Sequence, residues 1–66
     1  MKIIVLHDRY SNEPVVVRPN KINMIRKSKE DDEEYSSIIV DGFVIELKET
    51  IGDVMTKIKK AESEKV

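Results

Sequence analysis

The sequence predicts a small, mainly β fold of the α+β type: an antiparallel β-meander or half-open barrel of about five strands, followed by a C-terminal amphipathic helix. Two observations lead to this prediction. The dipeptide Asp41-Gly42 separates two apolar runs, which is the strongest short-range mark of a β-hairpin. Towards the C-terminus, the apolar residues recur instead at helical spacing.

Length and composition predict one domain, spanning residues 1–66. A chain of 66 residues lies near the lower limit for a self-supporting hydrophobic core. The chain has no cysteine, so disulfides and thiolate-bound metals cannot stabilise it. Because other sources of stability are few, we expect the protein to form a homo-oligomer.

The charge of the chain is nearly balanced. Lys and Arg total 12 and Asp and Glu total 13, for a net charge of -1. A balanced charge provides no global attraction to nucleic acid or to an anionic membrane. The apolar run Ile3–Leu6 is too short for a signal peptide or a membrane span. We therefore expect a cytoplasmic protein without membrane insertion.

The first half of the chain predicts a hairpin, a turn, a further strand and a loop. Ile3–Leu6 and Pro14–Arg18 are runs rich in β-branched residues, separated by a polar turn. Ile22–Lys27 fits both strand and helix spacing, and we favour a short turn followed by a strand. Lys29–Glu34 has no apolar residue and a dense negative charge, which favours a solvated loop between strands.

The Asp41-Gly42 turn predicts the register of the strands on either side of it. In a type I′ turn, residues equidistant from the turn face one another. On the expected core side the pairs are Val40 with Phe43, Ile38 with Ile45, and Ser36 with Leu47.

The other side of the predicted sheet is also partly apolar. It pairs Ile39 with Val44, and the first strand has Ile4 and Leu6 in addition to Ile3 and Val5. One short helix cannot cover this much apolar surface. Either barrel-like curvature of the sheet or a homo-oligomer interface would cover the remainder, and the candidate interface residues are Ile39, Val44, Ile4 and Leu6.

The predicted helix runs from residue 50 to about residue 62. Thr50 can cap it, and Asp53 occupies the reciprocal position of a capping box. Its apolar stripe consists of Ile51, Val54, Met55, Ile58 and Ala61. The full predicted core consists of Ile3, Val5, Val15, Val17, Ile25, Ile38, Val40, Phe43, Ile45, Leu47, Val54, Met55 and Ile58.

No constellation of residues predicts catalysis, a cofactor or a metal. His7 is the single histidine, and triads and zinc sites need several converging groups. The acidic run 31–34 lacks the glycine-punctuated spacing of a calcium loop. We therefore expect a non-enzymatic protein.

One cluster of charge predicts an alternative function, weak binding of nucleic acid. Five basic residues lie in a stretch without an acidic one, namely Arg18, Lys21, Arg26, Lys27 and Lys29. Such a patch can bind phosphate. However, aromatic residues make up 5% of the chain and tryptophan is absent, so the stacking surface typical of small β nucleic-acid folds is missing. Protein interaction is the favoured function.

The C-terminal half resembles a family of small bacterial proteins. The resemblance rests on Ile38–Gly42, Val44, Leu47–Thr50, Val54 and Ile58, together with the upstream segment Pro19–Ile25. In these positions the chain is similar to the flagellar and swarming-motility proteins FlbD and SwrD. That family combines a strand ending in an Asn-Gly turn, a second strand closing in Val-Lys-Glu-Ser, and a short helix. The resemblance implies a non-enzymatic cytoplasmic accessory of bacterial motility.

Overall fold

The computed structural model describes residues 2–63 and confirms the predicted fold class. Five strands form two antiparallel sheets, and one helix follows them. The elements are β1 (Ile4–His7), β2 (Pro14–Val17), a 3₁₀ turn (Pro19–Lys21), β3 (Ile22–Glu30), β4 (Glu33–Val40), β5 (Phe43–Leu47) and α1 (Ile51–Ser63).

The two sheets are joined through the backbone at the end of β1. β1 pairs with β2, and β3, β4 and β5 form a meander. Asp8 then pairs with Leu47, flanked by hydrogen bonds of 2.9 Å from Lys48 N–H to the His7 carbonyl and from Arg9 N–H to the Glu46 carbonyl. The resulting strand order is β2-β1-β5-β4-β3, with β2 and β3 at the two edges.

The turn between β4 and β5 has the predicted conformation. Asp41 and Gly42 have φ values of 50° and 85°, as a type I′ turn requires. The pairs Val40–Phe43, Ile38–Ile45 and Ser36–Leu47 all form. On β3 the register shifts between Ile22 and Met24, and Asn23 Oδ1 accepts a hydrogen bond of 3.1 Å from Asp41 N–H.

The prediction of a loop over Lys29–Glu34 is wrong. β3 continues through Glu30, β4 begins at Glu33, and Asp31 and Asp32 form a tight turn with φ values of 48° and 65°. Aspartate tolerates this left-handed conformation better than most residues. Ile22–Lys27 is strand throughout, as the start of β3, and the turn precedes this segment as the 3₁₀ turn at Pro19–Lys21.

The helix begins as predicted and packs against the core side of the sheets. Thr50 Oγ1 accepts a hydrogen bond of 3.2 Å from Asp53 N–H. Among the described residues the Asp53 carboxylate does not accept the reciprocal hydrogen bond from the Thr50 N–H, so the capping box is half formed. Val54 and Ala61 are buried, and Lys57 Nζ donates a 2.9 Å hydrogen bond to the Val5 carbonyl.

The core differs in its membership from the predicted one. Its buried apolar residues are Ile4, Leu6, Ile38, Leu47, Val54 and Ala61. Partly buried residues pack around them: Val15, Val17, Ile22, Ile25, Val40, Ile45 and Ile58. Four predicted core residues are exposed instead, namely Ile3, Val5, Phe43 and Met55. For β1 the two faces are exchanged, because Asp8 aligns with the buried Leu47 and thereby turns Leu6 and Ile4 inward.

Phe43 and Leu47, which lie on the same face of β5, should respond oppositely to truncation. Leu47 is 0% exposed and Phe43 is 73% exposed. Leu47→Ala should lower the free energy of unfolding by about 2 to 5 kcal/mol, because it leaves a cavity in the core. Phe43→Ala should change it by less than about 0.5 kcal/mol, as is usual at exposed positions. Urea unfolding followed by circular dichroism measures both, and equal losses would contradict this description of the core.

Candidate functional site

The outer face of the three-stranded sheet presents an apolar row. Met24 pairs with Ile39, and Ile39 pairs with Val44. These three side chains lie on the face opposite the core, because side chains alternate along a strand and Ile38 points inward. Met24 is 51% exposed and Val44 is 64% exposed, while Ile39 between them is partly buried. We call Met24, Ile39 and Val44 the outer row.

Two oppositely charged residues lie beside the outer row. Two residues further along the strands, Arg26 pairs with Ser37 and Ser37 pairs with Glu46. Arg26 and Glu46 therefore flank the outer face on opposite strands, with opposite charge. The outer row is thus bordered by a basic group on β3 and an acidic group on β5.

The prediction that Ile4 and Leu6 belong to an exposed interface is wrong. Both side chains are buried in the core. The outer positions of the first hairpin hold Ile3, Val5 and Val16 instead, and all three are exposed. Of the four predicted interface residues, only Ile39 and Val44 lie together on the outer face.

The five basic residues of the predicted nucleic-acid patch do not form one surface. Arg18 and Lys21 lie at the two ends of the 3₁₀ turn. Along β3, side chains alternate, so Arg26 points to the outer face and Lys27 and Lys29 point to the core side. Lys27 Nζ lies 3.4 Å from Glu34 Oε1, and Lys29 Nζ lies 3.8 Å from Asp32 Oδ1. The charge is therefore divided between two faces and partly neutralised.

His7 forms a close side-chain contact with Glu49 that the sequence did not reveal. His7 Nδ1 lies 2.7 Å from Glu49 Oε2, and His7 N–H donates a hydrogen bond of 2.9 Å to Glu49 Oε1. Burial opposes ionisation of Glu49, but these hydrogen bonds outweigh it and hold the pKa of the carboxyl below its ordinary value of 4.5. Ser36 Oγ donates to the Glu49 carbonyl at 2.7 Å. The pair therefore connects β1 to the segment that leads into the helix.

Arg9 forms a second polar contact on the outer face. Its guanidinium lies 3.8 Å from the centroid of the Tyr35 ring, and Nη2 lies 3.1 Å from Glu30 Oε1 and 3.9 Å from Glu33 Oε1. Glu30 and Glu33 face each other across the β3–β4 hairpin, where like charges repel. Arg9 offsets that repulsion and links the β3–β4 hairpin to the turn between β1 and β2.

Within residues 2–63, no three histidine or acidic side chains are grouped so that they could hold a metal ion. No helix in the same part of the chain has both the length and the apolar character to cross a bilayer.

Comparisons with known proteins return nothing. No protein-family model, no curated protein and no solved structure matches this chain. The similarity to FlbD and SwrD therefore stays a prediction that rests on the residues given above.

Met24 is the member of the outer row that the sequence did not identify. Its segment fitted two periodicities, and its position opposite Ile39 depends on the Asp31-Asp32 turn, from which the register runs without a shift as far as Met24. If the Asp31-Asp32 turn is recognised as a tight hairpin turn, counting back from it along the two strands pairs Arg26 with Ser37 and then Met24 with Ile39. The Asp31-Asp32 turn could have been recognised in the sequence, but it lies within a run of like charges that is more typical of a loop.

The Glu49 carboxylate should make stability depend on pH. Since its pKa is lower in the folded state than its ordinary value of 4.5, its contribution is present above that pH and is lost as the pH falls. The urea midpoint of the wild type should therefore decrease from about pH 5 to about pH 3. Glu49→Gln should show a smaller decrease.

Glu13→Gln is the matched control, because Glu13 is exposed in the first turn. It should reproduce the wild-type pH dependence. Identical profiles for Glu49→Gln and the wild type would contradict the stabilising contact between His7 and Glu49.

Proposed function

We propose that this protein is a non-enzymatic interaction module that self-associates through the outer row. The observation that supports the proposal is the alignment of Met24, Ile39 and Val44 across three neighbouring strands, with two of the three largely exposed. An exposed contiguous apolar patch is a common mark of an interaction site. Covering them with a second copy removes this surface from water.

A two-fold arrangement makes the outer face complementary to itself. An axis parallel to the strands places Ile39 of one copy against Ile39 of the second, and Met24 against Val44. The same rotation places Arg26 of one copy against Glu46 of the second copy. Apolar contacts then lie at the centre and opposite charges at the border, the usual anatomy of a protein interface.

The association is expected to be concentration-dependent rather than permanent. A stable interface buries about 800 Å² on each partner, and the outer row contributes only three side chains. A dimer in equilibrium with monomer follows from this limited area.

Val44→Lys should abolish the dimer while leaving the fold intact. A lysine at this exposed position places two charges in the apolar centre of the two-fold interface, which is costly without a partner. Val16→Lys is the matched control, since Val16 is the same residue type, is 58% exposed and lies on the other hairpin. Light scattering coupled to size-exclusion chromatography over a range of concentrations measures the mass of each variant.

The wild type and Val16→Lys should dimerise as concentration rises, and Val44→Lys should not. A wild type that remains monomeric at high concentration would refute self-association. A dimer lost in Val16→Lys but not in Val44→Lys would move the interface to the first hairpin. For the charged border, Arg26→Glu should weaken the dimer, and adding Glu46→Arg should restore it.

We further propose that the module acts as a cytoplasmic accessory of bacterial motility. The support is the similarity of Ile38–Gly42 and Leu47–Thr50 to the corresponding segments of FlbD and SwrD. Deleting the gene in its host should reduce the spreading of flagellated cells through soft agar, and the wild-type gene should restore it. Unchanged spreading would refute the motility role and leave the self-association to be judged by its own test.

A further inference from the structure

The free edge of β3 is the longest unpaired strand edge in the described part of the chain. β3 has nine residues and pairs with β4 alone. An unpaired edge presents a row of backbone N–H and C=O groups that can accept another extended strand. The β2 edge, with four residues and Pro14 at its start, offers fewer such groups.

The backbone groups that face outward on β3 follow from the two turns. The two-residue turn at Asp31-Asp32 closes on a hydrogen-bonded pair, Glu30 with Glu33. Hydrogen-bonded and non-hydrogen-bonded pairs alternate along an antiparallel ladder. Ser28 and Arg26 therefore bond to β4, whereas the N–H and C=O of Lys27 and Lys29 point away from it.

The β4–β5 turn gives the same assignment independently. It closes on Val40 and Phe43, so Ser36 bonds towards β5 and Ser37 bonds towards β3. Ser36 is the residue opposite Lys27. The backbone of Lys27 is thus left without a strand partner, and its side chain is largely exposed.

The side chains on this edge select the charge of a partner strand. Lys27 and Lys29 point to the same face, and their ion pairs with Glu34 and Asp32 are exposed and long, so they are cheaply broken. A second copy of β3 is a poor partner, because antiparallel pairing about Lys27 or Ser28 sets lysine against lysine. An acidic strand meets opposite charges instead.

We propose that the β3 edge binds an extended acidic peptide by strand addition, with acidic residues opposite Lys29 and Lys27. In an antiparallel peptide these are its first and third positions. The fifth position lies opposite the half-buried Ile25 and takes an apolar residue. The acidic residues of the Asp31-Asp32 turn lie beyond the first peptide position, and Arg9 holds Glu30 and Glu33 on the outer face. This site is separate from the outer row, so peptide binding and self-association can each fail without the other.

The test uses a labelled synthetic peptide with glutamate at its first and third positions, threonine at the second and fourth, and valine at the fifth. In one version the third residue is N-methylated, which removes the N–H that would donate to the Lys27 carbonyl but keeps the carboxylate. In the control version the fourth residue is N-methylated, because its N–H points away from β3. Affinity is measured by fluorescence anisotropy, and the site by amide chemical shifts of the protein.

N-methylation at the third position should weaken binding about tenfold, the equivalent of one backbone hydrogen bond, and the control should bind as the unmodified peptide does. The shift changes should centre on Lys27 and Lys29. Lys27→Glu should weaken binding, whereas Lys59→Glu on the exposed side of the helix should not, with unchanged amide dispersion showing that both variants fold.

Equal binding of the two N-methylated peptides would overturn the proposal, since it would show charge attraction without strand pairing. A mixed single-stranded oligonucleotide that shifts the same amides at lower concentration than the peptide would also overturn it, in favour of nucleic-acid binding by the basic residues.

Discussion

The backbone pairing of Asp8 with Leu47 is the contact on which the rest of the structure depends. It joins a two-stranded and a three-stranded sheet, neither of which has a large core of its own. It also decides the orientation of β1, because side chains alternate and Asp8 must share the face of Leu47. Leu6 and Ile4 are thereby brought into contact with the helix residues Val54 and Ala61 in one core.

The same pairing organises the polar groups on the outer face. His7 and Arg9, on either side of Asp8, point away from the core. His7 reaches Glu49 beside the helix start, and Arg9 reaches Tyr35 and the β3–β4 hairpin. Asp8 itself accepts hydrogen bonds from the N–H groups of Ser11 and Tyr10, which lower the pKa of its carboxyl. Three consecutive residues thus connect the first turn, the hairpin and the helix.

Local sequence signals were sufficient for part of the fold. Asp41-Gly42 predicted both the turn and the register of β4 against β5, since type I′ geometry leaves one alignment. Thr50 and the apolar stripe predicted the helix, which begins one residue after its cap. In both cases the residues that determine the structure are close together in the chain.

Long-range contacts account for what the sequence did not predict. The run Ile3–Leu6 is apolar on both faces, so its periodicity cannot show which face is buried. That choice depends on Leu47, far along the chain. Phe43 was expected in the core because of its hydrophobicity, but it lies next to the turn, outside the buried cluster. Asp31-Asp32 lacks the glycine that usually marks a type I′ turn.

The candidate site, like the fold, was predictable only where it depends on residues close together in the chain. Ile39 and Val44 followed from the local register, whereas Met24 required the position of β3, which the sequence left ambiguous. The basic residues were recognised as a cluster in sequence, but strand alternation separates them into two faces. A cluster along a strand therefore says less about a binding surface than a cluster along a loop.

The contact between β1 and α1 has a consequence for synthesis in the cell. Ile4 and Ala61 belong to the same buried cluster, so the core cannot close until residues near position 61 have left the ribosome. The β4–β5 hairpin needs only neighbouring residues and can form earlier. During translation β1, with its apolar residues exposed, must wait for the helix, and this is the interval in which a chaperone would encounter it.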